Sequence, residues 1–99
     1  MKIRKISKNK GKDYLYWREG GGETAEIVDI AVKSERRKGV GREMVDEMLT
    51  KTQARRIYAI TRASNAVAQM FYMKTGFTSN VLLPDFYPDE DGIMYIRCV

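Results

Sequence analysis

Ile27-Val28-Asp29-Ile30-Ala31-Val32, with Arg36-Arg37-Lys38-Gly39-Val40-Gly41-Arg42 close behind, is the stretch that decides the fold. The first six residues form an apolar run with one acid, which reads as the end of a strand covered on both faces and therefore central in a mixed sheet. The next seven form a basic glycine loop that opens a helical pattern from Arg42 to Lys51. A helix start leaves about four backbone N–H groups unpaired and carries roughly half a positive charge, so it attracts anions before any side chain is counted. Gly39 and Gly41 lack a Cβ, which lets the backbone approach a phosphate and turn through conformations other residues resist. Four of the seven residues are cations. By itself the loop reads either as a phosphate cradle or as a strand-to-helix turn with solvated arginines.

Downstream, Val40, Met44, Val45, Met48 and Leu49 recur at helical spacing while Glu43, Asp46, Glu47 and Lys51 take the other side, the pattern of a helix with one face in a core. Arg55 to Thr61 is a second apolar strand. Because it returns after a helix, a parallel pairing with the Ile27–Val32 strand through a right-handed crossover is expected. Ser64 or Asn65 can cap a second helix that runs to Lys74 and stops at Gly76. Upstream, Met1–Ser7 and Tyr14–Trp17 read as strands separated by the polar turn Lys8–Asp13. Gly20-Gly21-Gly22 has no following Gly-Lys-Ser/Thr and no helix, so it reads as a hairpin turn into a strand over Glu23–Val32. At the far end, Tyr87–Gly92 reads as an acidic turn and Ile93–Ile96 as a final antiparallel strand.

With 99 residues, 43% of them apolar, the chain predicts a single folded domain over residues 1–99 near the small end of what can bury its own core. The net charge of +5 fits nucleic acid, an anionic lipid surface or a polyanionic small molecule, and composition does not choose among them. No run approaches the roughly 18 to 20 apolar residues of a membrane span, and no apolar signal core follows Met1, so a soluble cytoplasmic protein is expected. There is no histidine, and Cys98 is the only cysteine. An internal disulfide, a Cys/His zinc cluster and His-dependent triads are therefore excluded, and no metal is expected. Cys98, one residue from the end, reads as a strand thiol and not a nucleophile.

The second helix carries Asn65-x-x-Ala68-x-x-x-Tyr72-x-Lys74-x-Gly76-Phe77. Joined to Arg36-x-x-Gly39-x-Gly41, with a strand before each helix, this resembles the GNAT superfamily of acetyl-CoA-dependent N-acetyltransferases over Glu26 to Tyr95. Arg62-Ala63-Ser64-Asn65-Ala66 and the later Tyr87-Pro88 are similar to the ribosomal-protein N-terminal acetyltransferase branch. That branch commonly has a glutamate where this chain has Ile60. The resemblance implies an α+β fold with a mixed, mostly antiparallel sheet, two splayed parallel central strands and two main helices. The superfamily's N-terminal helix pair has no counterpart here, which leaves the acceptor groove open or closed by a second subunit in a homodimer.

Carried onto this sequence, the resemblance puts the coenzyme's pyrophosphate on the loop Arg36, Arg37, Lys38, Gly39, Val40, Gly41 and Arg42, chiefly on main-chain N–H groups. Its pantetheine arm would run along Ile30, Ala31 and Val32, with Asn65 bonding it from the opposite helix. Charged hydrogen bonds of roughly 1.5–3 kcal/mol each make a few of them sufficient for much of a micromolar affinity, about 8 kcal/mol.

Attack by an amine needs the neutral form, and an ammonium of pKa ~10.4 gives up about 4.6 kcal/mol to lose its proton at pH 7. Glu26 resembles the glutamate that histone-acetylating members place on this strand as general base; read without the family, it is an exposed strand glutamate. Asp29 lies three residues on, and strand alternation points the two acids to opposite faces. Tyr72 matches the tyrosine that hydrogen-bonds the departing thiolate, and read alone it is a packed helix residue. The function expected is transfer of acetyl from acetyl-CoA to a primary amine, with the acceptor open among small molecules, protein lysines and protein N-termini. Two other classes stand beside it: a catalytically weak coenzyme-binding module, and a basic nucleic-acid binder, which the paired motifs disfavour because phosphodiester binding needs neither.

Overall fold

The computed structural model describes residues 2–34 and 39–99. Its elements are β1 (Lys2–Lys8), β2 (Asp13–Glu19), β3 (Thr24–Val32), α1 (Val40–Lys51), β4 (Arg56–Arg62), α2 (Ala66–Lys74), β5 (Thr78–Tyr87) and β6 (Glu90–Cys98). The described strands make one six-stranded sheet in the order β1-β2-β3-β4-β6-β5. β3 and β4 run parallel, joined through α1 as expected, and every other neighbouring pair is antiparallel.

Parallel pairing is brief. It holds Thr24 to Arg56, Ala25 to Ile57 and Glu26 to Tyr58, although β3 continues to Val32 and β4 to Arg62. Beyond Glu26 and Tyr58 the two strands part and open a V in the middle of the sheet, the splay that the motifs imply. Main-chain groups on its inner edges have no ladder partner among the described residues.

One core closes the sheet from a single side. α1 buries Val40, Gly41, Met44, Val45 and Met48, and these meet Leu15, Trp17, Ala25, Ile27 and Ile57. Tyr72 of α2 joins the same cluster together with Phe77 and Tyr95. Met44 and Met48 have no exposed surface, and full burial of such a side chain stabilises the fold by roughly 1.5–3 kcal/mol. Both helices lie on this face, close enough that a Cβ at Gly41 of α1 would strike Phe71 of α2. Residues that alternate with the core positions, among them Arg18, Glu26 and Tyr58, point to the other face, which no described element covers.

Periodicity alone misplaces two elements. α1 begins at Val40, not Arg42, because Gly39 supplies the turn into the helix at φ 85°. β5 has no counterpart in the sequence reading: Pro84 interrupts its pattern, its register shifts between Leu83 and Tyr87, and Asp85 sits at φ 54°. Such breaks are tolerated because β5 is an edge strand.

Candidate active site

Among the described residues no side chain caps α1, and its first backbone bond runs from Glu43 N–H to Gly39 O at 2.8 Å. The first-turn amides of Val40, Gly41 and Arg42 therefore precede the ladder. The two glycines serve different ends. Gly39 needs its positive φ, and a Cβ there would meet nothing within 4 Å. Gly41 is helical and buried, and its Cβ would stand 2.5 Å from Cε1 of Phe71, so it is small in order to let α1 and α2 approach. The Arg42 guanidinium donates to the Lys74 carbonyl at the end of α2, tying the two helices together. Arg36, Arg37 and Lys38 lie outside the described residues.

Where β3 runs on past its pairing with β4, a cavity of about 330 Å³ is lined on one side by Ile30, Ala31 and Val32 of β3 and on the other by Asn65, Val67, Ala68, Phe71 and Tyr72 at the start of and along α2. The structure thus brings the expected strand residues, Asn65 and Tyr72 to one place. The cavity's mainly apolar lining fits a largely apolar chain with occasional amides, and the β3 edge, unpaired among the described residues, supplies strand-like partners for them. Asn65 is partly committed: its Oδ1 accepts from Ala68 N–H at 3.0 Å and caps α2. Its amide NH₂ remains the half that can serve a ligand.

Tyr72 is 6% exposed. It packs edge-on against Phe77 with centroids 5.3 Å apart and stacks on Tyr95 at 5.8 Å. Its hydroxyl has no hydrogen-bond partner among the described residues. Burial, with smaller contributions from the negative charge of Asp29 and from Tyr87, pushes its pKa up to about 12. Proton transfer from this phenol to a thiolate of pKa ~8.5 is then uphill by roughly 5 kcal/mol. Tyr72 can donate a hydrogen bond to such a sulfur but holds its proton.

Glu26 does not line this cavity. It lies between buried Ala25 and Ile27 and points to the bare face, where it pairs with the Arg18 guanidinium. That bond, with the attraction of the carboxylate, raises the Arg18 pKa. A second cavity of about 260 Å³ is lined by Arg18, Gly20, Thr24, Ala25, Glu26 and Tyr58, at the point where β3 and β4 separate. Glu26 and Tyr72 thus approach the V from opposite faces of the sheet. The expectation for Asp29 is corrected. The β2–β3 register shifts at Val28, so that Arg18 faces Glu26 and Tyr16 faces Asp29. Arg18 and Tyr16 share a face, and the bulge brings both acids to it.

Sequence reading missed two supports. Asp13 has no exposed surface, and it accepts from Lys33 N–H at 2.8 Å, Ser34 N–H at 2.9 Å and Ser34 Oγ at 2.6 Å, with Asn9 as a further donor. Burial alone would raise its pKa, but these hydrogen bonds outweigh it and hold the carboxyl well below the usual range. It therefore fixes the chain where β3 gives way to the glycine loop. An acid in phase with Leu15 and Trp17 is the signal that could have found it. At the other end of the site, Arg62 binds Asp89 Oδ1 at 2.6 Å and covers the Tyr87 ring at 4.4 Å, while Glu90 accepts from Ser64 N–H and Oγ, both at 2.9 Å. Together they hold the start of α2 to the β5–β6 turn.

A family model described as acetyltransferase (GNAT) family matches residues 9–77. No curated protein matches the chain. Among solved structures, a GNAT-family protein from Desulfovibrio desulfuricans superposes with a TM-score of 0.84 at 23% identity, over 97% of this chain and 68% of that one. A GNAT family acetyltransferase from Elizabethkingia anophelis with acetyl-CoA bound gives 0.81 at 19% identity, over 93% and 72%. Ard1 from Thermoplasma volcanium gives 0.73 at 25% identity, over 91% and 72%. The chain spans 55% of a further match and no more than 72% of any of these. With the family model covering residues 9–77, and with the V, the helix start and the lined cleft in their expected order, the chain belongs to the acetyltransferase (GNAT) family.

Proposed function

We propose that the chain is an N-acetyltransferase that moves acetyl from acetyl-CoA to a primary amine by direct attack, with both substrates bound together. One observation carries this reading: the β3 and β4 edges part at Glu26 and Tyr58, α1 starts without a side-chain cap among the described residues, and a cleft lies between the freed end of β3 and α2. Main-chain N–H groups of Val40, Gly41 and Arg42 hold the diphosphate. The β3 edge at Ile30 and Val32 pairs with the arm's amides, and the Asn65 NH₂ bonds it from α2.

Bound acetyl-CoA supplies the thioester. Glu26 takes one ammonium proton from the acceptor, directly or through water, and Tyr72 donates a hydrogen bond toward the sulfur as it takes up charge. In total, an ammonium and acetyl-CoA give an acetamide, the free thiol and one proton. The bare sheet face is the acceptor side, and a second copy of the chain is the partner that would wall it. A cytoplasmic setting fits the single unpaired thiol of Cys98. The test is thiol release from acetyl-CoA over a panel of amines, with calorimetric titration of the coenzyme. Binding with no turnover on any amine would reduce the chain to a coenzyme-binding module, and no binding would remove the reading altogether.

A further inference from the structure

The second cavity sets a guanidinium and a carboxylate side by side. Arg18 and Glu26 are cross-strand partners in contact, half-exposed and partly exposed respectively, on the face away from both helices. Tyr58 stands opposite Glu26 in the β3–β4 register and forms the far wall. The cavity reaches back over Thr24 to Gly20 and ends at Glu26, where the V begins. A ligand seated there would have one end at the mouth of the cleft and the rest over paired, closed sheet.

The chemistry of this pair narrows the ligand. A lone ammonium would meet Glu26 but also the adjacent Arg18, and the like charge counts against it. A zwitterion satisfies both: its carboxylate takes the Arg18 fork bidentately, and its ammonium takes Glu26. Arg18 and Glu26 touch, so the ligand's two charges must be close together, as in an α-amino acid, where both sit on one carbon. A peptide N-terminus, a polyamine and a lysine side chain in a protein all lack that neighbouring carboxylate. Resting on the acetyl-transfer reading above, we propose that the second cavity is an acceptor site for a free α-amino acid, whose carboxylate displaces Glu26 from Arg18 and frees it to receive the amine's proton. The N–C bond then forms as the C–S bond breaks; one ammonium proton leaves through Glu26 and the sulfur takes up the other.

Thiol release from acetyl-CoA is measured with the full chain against the free L-amino acids and, for the best of them, its methyl ester and its decarboxylated amine. The free acid should exceed both by about tenfold or more in kcat/KM, the effect of losing a charge-assisted pair. Arg18→Gln should bring the acid down to the level of the ester, with coenzyme affinity in calorimetry staying within about twofold of wild type to report that the variant is folded. Arg18→Lys should restore part of the preference. Calorimetric titration of the same amino acid into protein saturated with coenzyme A should show the same order without turnover. Equal rates for acid and ester in the wild type, preference for the decarboxylated amine or for a peptide, or an Arg18→Gln variant that still prefers the acid over the ester would each overturn the assignment while leaving acetyl transfer in place. Absence of thiol release with every amine would remove both.

Discussion

Gly41→Ala tests how the cleft is built. Alanine is the better helix former by about 1 kcal/mol, so propensity alone predicts a more stable protein. The new Cβ would stand 2.5 Å from Phe71 Cε1, however, and the ring must move. Forcing a carbon into a packed contact costs about 1–3 kcal/mol, which leaves a net loss of roughly 0–2 kcal/mol after the helix gain. With about 1 kcal/mol as the centre of that range, the midpoint of thermal unfolding should fall by roughly 4–8 °C for a domain of this size. Phe71 also lines the cleft, so calorimetric affinity for acetyl-CoA should drop with it. Phe71→Leu removes the ε carbons and should relieve the clash. In the double variant the two effects should be non-additive by about 1 kcal/mol or more. A Gly41→Ala protein that melts several degrees higher and binds the coenzyme normally would refute this account of the helix contact.

Three further outcomes are expected. Tyr72→Phe should lower turnover by about ten- to a hundredfold, the loss of one hydrogen bond to a charged sulfur, with coenzyme affinity unchanged in calorimetry; wild-type rates would leave Tyr72 a packing residue. Glu26→Gln should reduce the rate more at neutral pH than at high pH, where the amine deprotonates unaided, and a pH–rate profile parallel to wild type would remove Glu26 as the base. Asp13 has a folded pKa below its unfolded one, so its stabilisation is present above about pH 4 and is lost as pH falls through the folded value. The urea midpoint of the wild type should therefore fall more steeply with acid than that of Asp13→Asn, and equal slopes would contradict the assigned hydrogen bonds.

The elements that sequence made legible are those whose burial is one-sided and regular. Met44, Val45 and Met48 at helical spacing marked α1, and the apolar runs before each helix marked β3 and β4. The β3–β4 crossover followed from their order. What sequence hid was local and depended on partners. Alternation put Glu26 and Asp29 on opposite faces because it has no term for the bulge at Val28, which the β2 register creates. The purpose of Gly41 was invisible because the atom that demands it, Cε1 of Phe71, lies thirty positions away in sequence. β5 escaped because Pro84 and Asp85 disrupt the period-2 pattern. Asn65 was legible twice over, as helix cap and as cleft residue, and one carboxamide divides between the roles through its two ends.

The interrupted pairing of β3 and β4 carries the remaining consequence. In a closed parallel sheet the main-chain groups beyond Glu26 and Tyr58 would bond across the gap; here they wait for water or for a ligand that can behave like a strand. A ligand lying in the gap gains bonds that the fold itself leaves unmade, without displacing any that it makes. Two of the residues near this opening stand on opposite faces of the sheet. Tyr72 is held on the helix side by Phe77 and Tyr95, and Glu26 on the bare side by Arg18. On the acetyl-transfer reading, a thioester entering from the helix side presents its sulfur near Tyr72 and its carbonyl toward an amine arriving past Glu26. Neither residue could serve from the other's position: a base shut in the aromatic cluster would lose the water that carries its proton away, and a phenol on the open face would lose the burial that holds its proton in place.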